Sequence, residues 1–453
     1  MTQPSTGRPG EPLIRPGSAT SYGPRSERED AADGSLSKRV RDMVVANFGN
    51  VLEWYDWNIY TIFAPYFALQ FFNHDNPTSA LLSTLAVFAV GFVARPVGGY
   101  IFGAYADKVG RKQSLVVAMM ITAGGSLVIG FSPTFDSVGI LASIILVTAR
   151  LVQGLAHGGE MGTAVTYLVE RAPRERRAFF GSSSWFSVVL GTMVATLTGL
   201  IINAILTDDQ VSAWGWRIPF IIGGILGLYA LWLRRGLQET EAFEAGQESG
   251  SENEESTVGD SIFSHWRGLA TIFFVSAGGS LFFYTWSIYM PTHVQVVHGQ
   301  SANSALGASL LAEFLFLLAI PIMGILGDKV GRRPMVLISG VLFLVITVPV
   351  YRFLDGTFIT QFLGQTMALL ALSLLFGVNG AIWTESLPTR FRAKGVATTL
   401  SLATAIFGGT APYLNAWLGE QGSPQVFQYY LVLMAVVLVA TGFFMRETKG
   451  VEL

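Results

Sequence analysis

The sequence predicts an all-α membrane protein: about twelve transmembrane helices arranged as two six-helix repeats. Three observations predict it. Charged residues make up only 13% of the 453, about half the usual globular share, while the hydrophobic class reaches 51% before the 50 glycines are added. Apolar stretches of the roughly 20 residues needed to cross a bilayer recur along the whole chain. Lysine and arginine gather between alternate stretches, and the chain echoes itself at half length.

The spans fall at approximately 43 to 70, 80 to 104, 114 to 131, 139 to 168, 178 to 205 and 216 to 234, then 268 to 290, 304 to 326, 335 to 353, 358 to 385, 395 to 418 and 426 to 445. Loops on the cytoplasmic side of a membrane carry an excess of basic residues. The tail before residue 43, the alternate loops and the C-terminus together hold 25 of the 29 lysines and arginines. Arg217 and Arg352 fall near the other face, and Arg95 and Arg150 fall inside spans. Both termini are therefore expected in the cytoplasm of a bacterium, with the protein in its inner membrane.

Residues 1 to 42, rich in Pro, Gly, Ser and charge where they begin and lacking an apolar signal segment, are expected as a disordered cytoplasmic tail. The acidic stretch "QETEAFEAGQESGSENEESTVGD" lies within a cytoplasmic linker, 236 to 267, between a first bundle (43 to 235) and a second (268 to 445), with 446 to 453 as a cytoplasmic C-terminus. The absence of cysteine excludes disulfides, thiolate metal sites and cysteine nucleophiles. Five scattered histidines offer no metal cluster, and no phosphate-binding "GxxxxGK[ST]" is present, so neither an enzyme, an ATP-driven pump nor a cofactor is expected.

The half-length echo is specific. "GAYADKVGRKQS" (103 to 114) returns as "GILGDKVGRRPM" (324 to 335), and "ERAPRERRA" (170 to 178) returns as "ESLPTRFRA" (385 to 393). Two echoes at nearly one offset mean duplicated halves, the architecture of a large transporter class with its site between the halves. The loop pattern G-x-x-x-D-K-x-G-R-K/R, present twice, and "RLVQG" (150 to 154) resemble motifs of the major facilitator superfamily. "GNVLEWYDW", "RPVGGYIFG", "GLAHGGEMGTA" and "WGWRIPF" resemble its metabolite:proton symporter branch, and "GGSLFFYTWSIYM" with "AIFGGTAPYL" is most similar to alpha-ketoglutarate permeases. The likeness runs from about residue 40 to 447. The closing "RETKG" is similar to a C-terminal signature of sugar porters, with Arg446 where those have proline.

Candidate site residues follow from charge at bilayer depth, where a charge is costly and marks function. On a helix, Asn50, Glu53, Asp56, Trp57 and Tyr60 share an arc of about 120°. A carboxylate on that stripe can carry a proton, so Asp56 and Glu53 are proton-coupling candidates; structural pairing is the alternative reading. Arg150 is the partner that the resemblance to proton-coupled sugar porters implies for Asp56. Arg95 lies roughly 18 Å from the end of its helix, close to mid-membrane, and its planar fork suits a carboxylate. Arg217, Tyr60, Tyr284, Thr285 and Tyr289 are further substrate-binding candidates, with Tyr351, Asn379, Trp383 and Asn415 weaker ones. His157, Glu160 and Glu313 are titratable groups at depth whose part in coupling stays open.

The repeated loops point to a gate. The resemblance implies that Gly103, Asp107, Gly110 and Arg111, with Glu170 and Arg177, and their counterparts Asp328, Gly331, Arg332, Glu385 and Arg392, latch the cytoplasmic side. The expected function is a proton-coupled symporter importing a small carboxylate, a dicarboxylate such as alpha-ketoglutarate, by alternating access. Citrate, shikimate, an aromatic acid and a zwitterionic osmolyte such as proline or betaine stay open as cargo, and a channel is the rival class. The partners are the cargo, protons and the lipid bilayer; no nucleic acid is expected, and the chain is expected to work as a monomer.

Overall fold

The computed structural model describes residues 26–72, 76–109, 111–158, 165, 166, 168–170, 172–234 and 262–452. The chain divides into two units, residues 1–42 and 43–453. In the first, the described residues 26–42 are helical where the sequence led us to expect a disordered tail.

Helices account for nearly all of the second unit. The first half contains α1 (Ser26–Phe71), α2 (Pro77–Val109), α3 (Arg111–Gly130), α4 (Ile140–His157), α5 (Arg177–Ile205) and α6 (Arg217–Arg234). The second contains α7 (Trp266–Phe283), α8 (Ala302–Val330), α9 (Arg332–Phe353), α10 (Phe358–Phe376), α11 (Thr389–Ala403) and α12 (Pro424–Phe444). Three of these are prolonged: α7 by a π-helical turn, Tyr284–Tyr289, and Met290–His298; α10 by Asn379–Glu385; α11 by a π-helical turn, Thr404–Gly408, and Ala411–Glu420. Among the described residues, eight helices are long and apolar enough to cross a membrane, or nine if the pair bent by 47° before α6 is one span. The remaining expected spans, α1, α3 and the prolonged α11, are not among these; the apolar part of α3 is the shorter Val116–Gly130.

The two halves meet along α5 against α8 and along α2 against the prolonged α11, so each half lends one helix to two long seams. Within the first half the tightest crossing joins α2 to α4. A Cβ on Gly98 would lie 1.9 Å from the Leu155 carbonyl oxygen, one on Gly154 2.1 Å from that of Gly91, and one on Gly158 1.9 Å from that of Arg95. Small residues permit such backbone contact between helices in a membrane. Arg95 and Arg150, which lie on these two helices, are brought to one level by it.

This crossing leads to a prediction. Gly154→Val drives a branched side chain into backbone that cannot yield as a flexible side chain would, and overpacking costs about 1–3 kcal/mol. Purified Gly154→Val protein should unfold at a lower temperature than the native chain; an unchanged thermal midpoint would contradict the close approach.

Candidate functional site

The polar stripe of α1 faces the interior of its own half. Asn50 donates to the Ser187 hydroxyl at 2.7 Å and the Ser184 carbonyl at 3.2 Å, tying α1 to α5. Asp56 is buried between three helices: the Ser126 hydroxyl on α3 donates to one carboxylate oxygen, and Gln153 Nε2 on α4 donates to the other at 3.1 Å. Glu53, one turn away, sits 2.7 Å from Nδ1 of His157, whose ring packs edge-on against Trp57. Glu53, Asp56 and His157 line one cleft of about 40 Å³, together with Thr122, Met119 and Gly223. The cleft lies inside the first half, and room for water beside two carboxyl groups and an imidazole makes a place where protons can enter.

Arg150 does not bond Asp56. Its guanidinium is wholly buried, all three nitrogens lack an acceptor, and its charge rests 4.0 Å from the Tyr60 ring and 5.4 Å from that of Trp57. Gln153 takes the position at Asp56 that the sequence reading assigned to the arginine. Arg95 is placed in the same way, 4.1 Å from the Phe92 ring and 4.3 Å from that of Trp57, with its Nε lacking an acceptor. Two cations thus share one indole. Cation–π contact returns only about 1–2 kcal/mol, less than desolvation of an unpaired guanidinium costs.

The other substrate-binding candidates divide. Tyr284, on the π turn after α7, is buried with its hydroxyl unpartnered and its ring 5.1 Å from Phe92, close to Arg95. Tyr60 already donates to the Thr84 carbonyl at 3.0 Å, and Thr285 to that of Leu281 at 2.7 Å. Tyr289 is buried beside Ala64, Leu81 and Leu85. Arg217 spends its donors on the carbonyls of Ala213 and Ser132, both at 3.2 Å, and lies 4.2 Å from the Trp216 ring. That geometry anchors the start of α6 and leaves Arg217 away from the Trp57 cluster. Among the weaker candidates, Asn415 donates to Tyr351 at 3.3 Å, and both Asn379 and Trp383 carry unpartnered buried polar atoms.

Aromatic rings fill the seam between the halves. Trp185 stacks on Phe376 with centroids 3.5 Å apart, and Trp54 meets Phe283 at 5.8 Å and Tyr284 at 6.4 Å.

At the face bearing the repeated loops, polar bonds close the seam. The Asp328 carboxylate accepts from the backbone N–H groups of Ala178 and Phe179 at 2.9 and 3.0 Å, so an acid of the second half caps the first turn of a helix in the other. Arg392 reaches Glu170 at 2.5 Å and Arg177 lies 3.9 Å from Glu385, both pairs crossing between halves. Arg332 grips Glu385 through two bonds of 2.9 and 3.0 Å and lies 3.2 Å from Asp328. Gly331 turns there at φ +113°, where a side chain would be strained. Of Gly103, Asp107 and Arg111 only the helical backbone is described, and Gly110 and Glu160 lie outside the described residues.

Sequence reasoning missed two partners. Gln153 lies one turn beyond Arg150 in "RLVQG", on the same helix face, and that spacing could have revealed it. The closing "RETKG" is a strap: Glu447 accepts from the N–H groups of Arg332 and Arg333 at 2.9 and 3.0 Å, Thr448 donates to Glu385 at 2.7 Å, and Arg177 donates to the Val451 carbonyl at 2.6 Å.

Among the described residues the molecule is helical, with charges buried inside and polar bonds across the seam between its halves. The "Sugar (and other) transporter" family matches residues 43–258 and 233–453, and the chain belongs to that family within the major facilitator superfamily. It is 38% identical to the alpha-ketoglutarate permease of Escherichia coli (strain K12), over 94% of this chain and 100% of the relative. It is 35% identical to the citrate-proton symporter of Salmonella typhi, over 89% of this chain and 93% of that one. The solved structure of the major facilitator superfamily proton:xylose symporter XylE superimposes with a TM-score of 0.73 at 17% identity, covering 92% and 97% of the two chains, which is likeness of fold.

The latch makes its own prediction. Glu385→Gln leaves the buried Arg332 with Asp328 as its remaining acid and removes the charge that Arg177 faces across the seam, and breaking a buried pair costs up to about 3–5 kcal/mol. The variant should melt at a lower temperature, and a thiol-reactive probe should label a cysteine introduced at Ser182 faster than in the native background. Equal labelling rates would count against the latch.

Proposed function

We propose that this protein is a proton-coupled symporter that imports a small dicarboxylate, such as alpha-ketoglutarate, by alternating access between its halves. The observation that carries this reading is the pair Arg95 and Arg150, two buried cations close to the Trp57 ring, with all three guanidinium nitrogens of Arg150 and Nε of Arg95 lacking an acceptor. A dianion entering beside them supplies what each lacks, one carboxylate per guanidinium, and the unpartnered Tyr284 hydroxyl can donate from the second half. A sugar or other neutral solute brings no such charge. The name of the 38% identical relative agrees with a dicarboxylate, and that of the citrate-proton symporter agrees with proton coupling and leaves a tricarboxylate as the second reading.

Asp56 is the coupling acid in this reading. It is linked to Gln153 on the helix that carries Arg150, so protonation can move α4 against α1 and change the reach of the guanidinium. Glu53 and His157 stand in the same cleft and pass protons to and from Asp56. The latch at the repeated-loop face closes the cytoplasmic side in this reading, with both termini in the cytoplasm of a bacterial cell and the monomer as the working unit. Two protons cancel the charge of a dianion, so each is then driven by the pH difference alone, worth about 1.4 kcal/mol per pH unit, and only a proton beyond two draws about 2.3 kcal/mol from each 100 mV.

Uptake of labelled alpha-ketoglutarate and citrate into proteoliposomes under an imposed pH gradient tests the reading. Accumulation of alpha-ketoglutarate above equilibrium is expected; passive, unsaturable flux would mean a channel. Arg95→Lys should weaken cargo binding about tenfold or more, because a point charge cannot replace two charge-assisted bonds. Asp56→Asn should lose gradient-driven accumulation and keep counterflow exchange. Unchanged affinity in the first, or intact accumulation in the second, would refute the roles assigned.

A further inference from the structure

Glu313 takes no part in the site described above. It lies midway along α8, its side chain wholly buried where α8 packs on α5 of the other half. Thr196 of α5 is 3.1 Å from one carboxyl oxygen, and Ser287, in the π-helical turn that follows α7, is 3.2 Å from the other. One carboxyl group therefore joins three elements, two from one half and one from the other.

Among the described residues, none that packs around it carries a positive charge. On α5 the charged group is Arg177 at the helix start, and on α8 itself Asp328 and Lys329 stand at the opposite end from the middle turns. On α10 the polar groups that face α8 are Gln361 and Gln365, which bond Ser309. On Met290–His298 the histidines His293 and His298 pack against Tyr351 and each other. A carboxylate buried without a cation costs far more than two hydroxyl donors return. A neutral carboxyl fits the same atoms at no such cost. The Thr196 hydroxyl has one proton and two acceptors in reach, the Thr192 carbonyl and Glu313, each at 3.1 Å. If Glu313 is the donor, its O–H bonds Thr196 and Thr196 bonds Thr192, so the chain of donors is complete.

We infer that Glu313 is a second proton-binding site, occupied while the halves are closed and emptied when they part and water reaches the seam. The inference rests on the proposed symport and adds to it, because the proton is held by contacts that a rocking motion must break. Loading and release at Glu313 are then tied to the same movement that exposes the cargo. The π-helical turn is the moving part on the cargo side: Ser287 and the unpartnered Tyr284 belong to the same turn, so a change at one is felt at the other.

The proton-to-substrate ratio, measured in proteoliposomes as the pH difference that just halts net alpha-ketoglutarate flux at a fixed substrate gradient and a clamped membrane potential, tests this. Glu313→Gln should lower the ratio by one proton relative to the native protein, while Glu313→Asp should restore it. A native ratio in Glu313→Gln overturns the inference and leaves the proposed symport standing. A native protein with no proton flux removes both. A native-protein readout guards against a variant that does not fold: an apolar carbodiimide, which reacts with protonated buried carboxyls, should modify Glu313 at low pH and spare it progressively as pH rises. Absent or pH-independent modification of that residue overturns the inference as well.

Discussion

The close approach of α2 and α4 governs this molecule. Glycines on each helix meet the backbone of the other, and no side chain separates them. Because the two helices cross in contact, Arg95 on one and Arg150 on the other both arrive close to Trp57, whose ring also packs against Phe88, Phe92 and His157. The cost of burying two guanidiniums is borne by the packing around them, which holds charges in place that water would otherwise claim.

Charges elsewhere are handled by a different rule. At the repeated-loop face, acids and arginines pair, and Asp328 and Glu447 cap helix starts, so that surface is stable when shut and dissolves into solvated ions when opened. In the interior, acids meet neutral donors: Ser126 and Gln153 at Asp56, Thr196 and Ser287 at Glu313. Hydroxyls and amides serve a carboxyl group in both protonation states, whereas an arginine serves only one. Partners are thus divided by depth, charged ones at the repeated-loop face and neutral ones at Asp56 and Glu313.

Much of this was legible in the chain itself. Apolar segments of membrane length, basic residues between alternate segments and the two half-length echoes give the all-helical, duplicated architecture, because bilayer thickness and charge placement leave few other solutions. The stripe of Asn50, Glu53, Asp56, Trp57 and Tyr60 and the depth of Arg95 located the interior cluster by helix geometry alone. What pattern could not supply was partner choice. Asp56 meets Gln153 and Ser126 where a charge pair with Arg150 was expected, and which of several polar groups wins a contact depends on helix rotation, which sequence spacing does not encode. Arg217 looked like a ligand for cargo from its position near the outer end of a span, yet local carbonyls claim its donors. The strap formed by Glu447 and Thr448 escaped notice since its bonds join residues more than 60 positions apart.

The stacking of Trp185 on Phe376 has a consequence for the seam. Rings in van der Waals contact leave no room for a water molecule between them, so at that point of the seam a proton has no file of water to hop along. Any parting of the halves there must first peel two aromatic faces from each other.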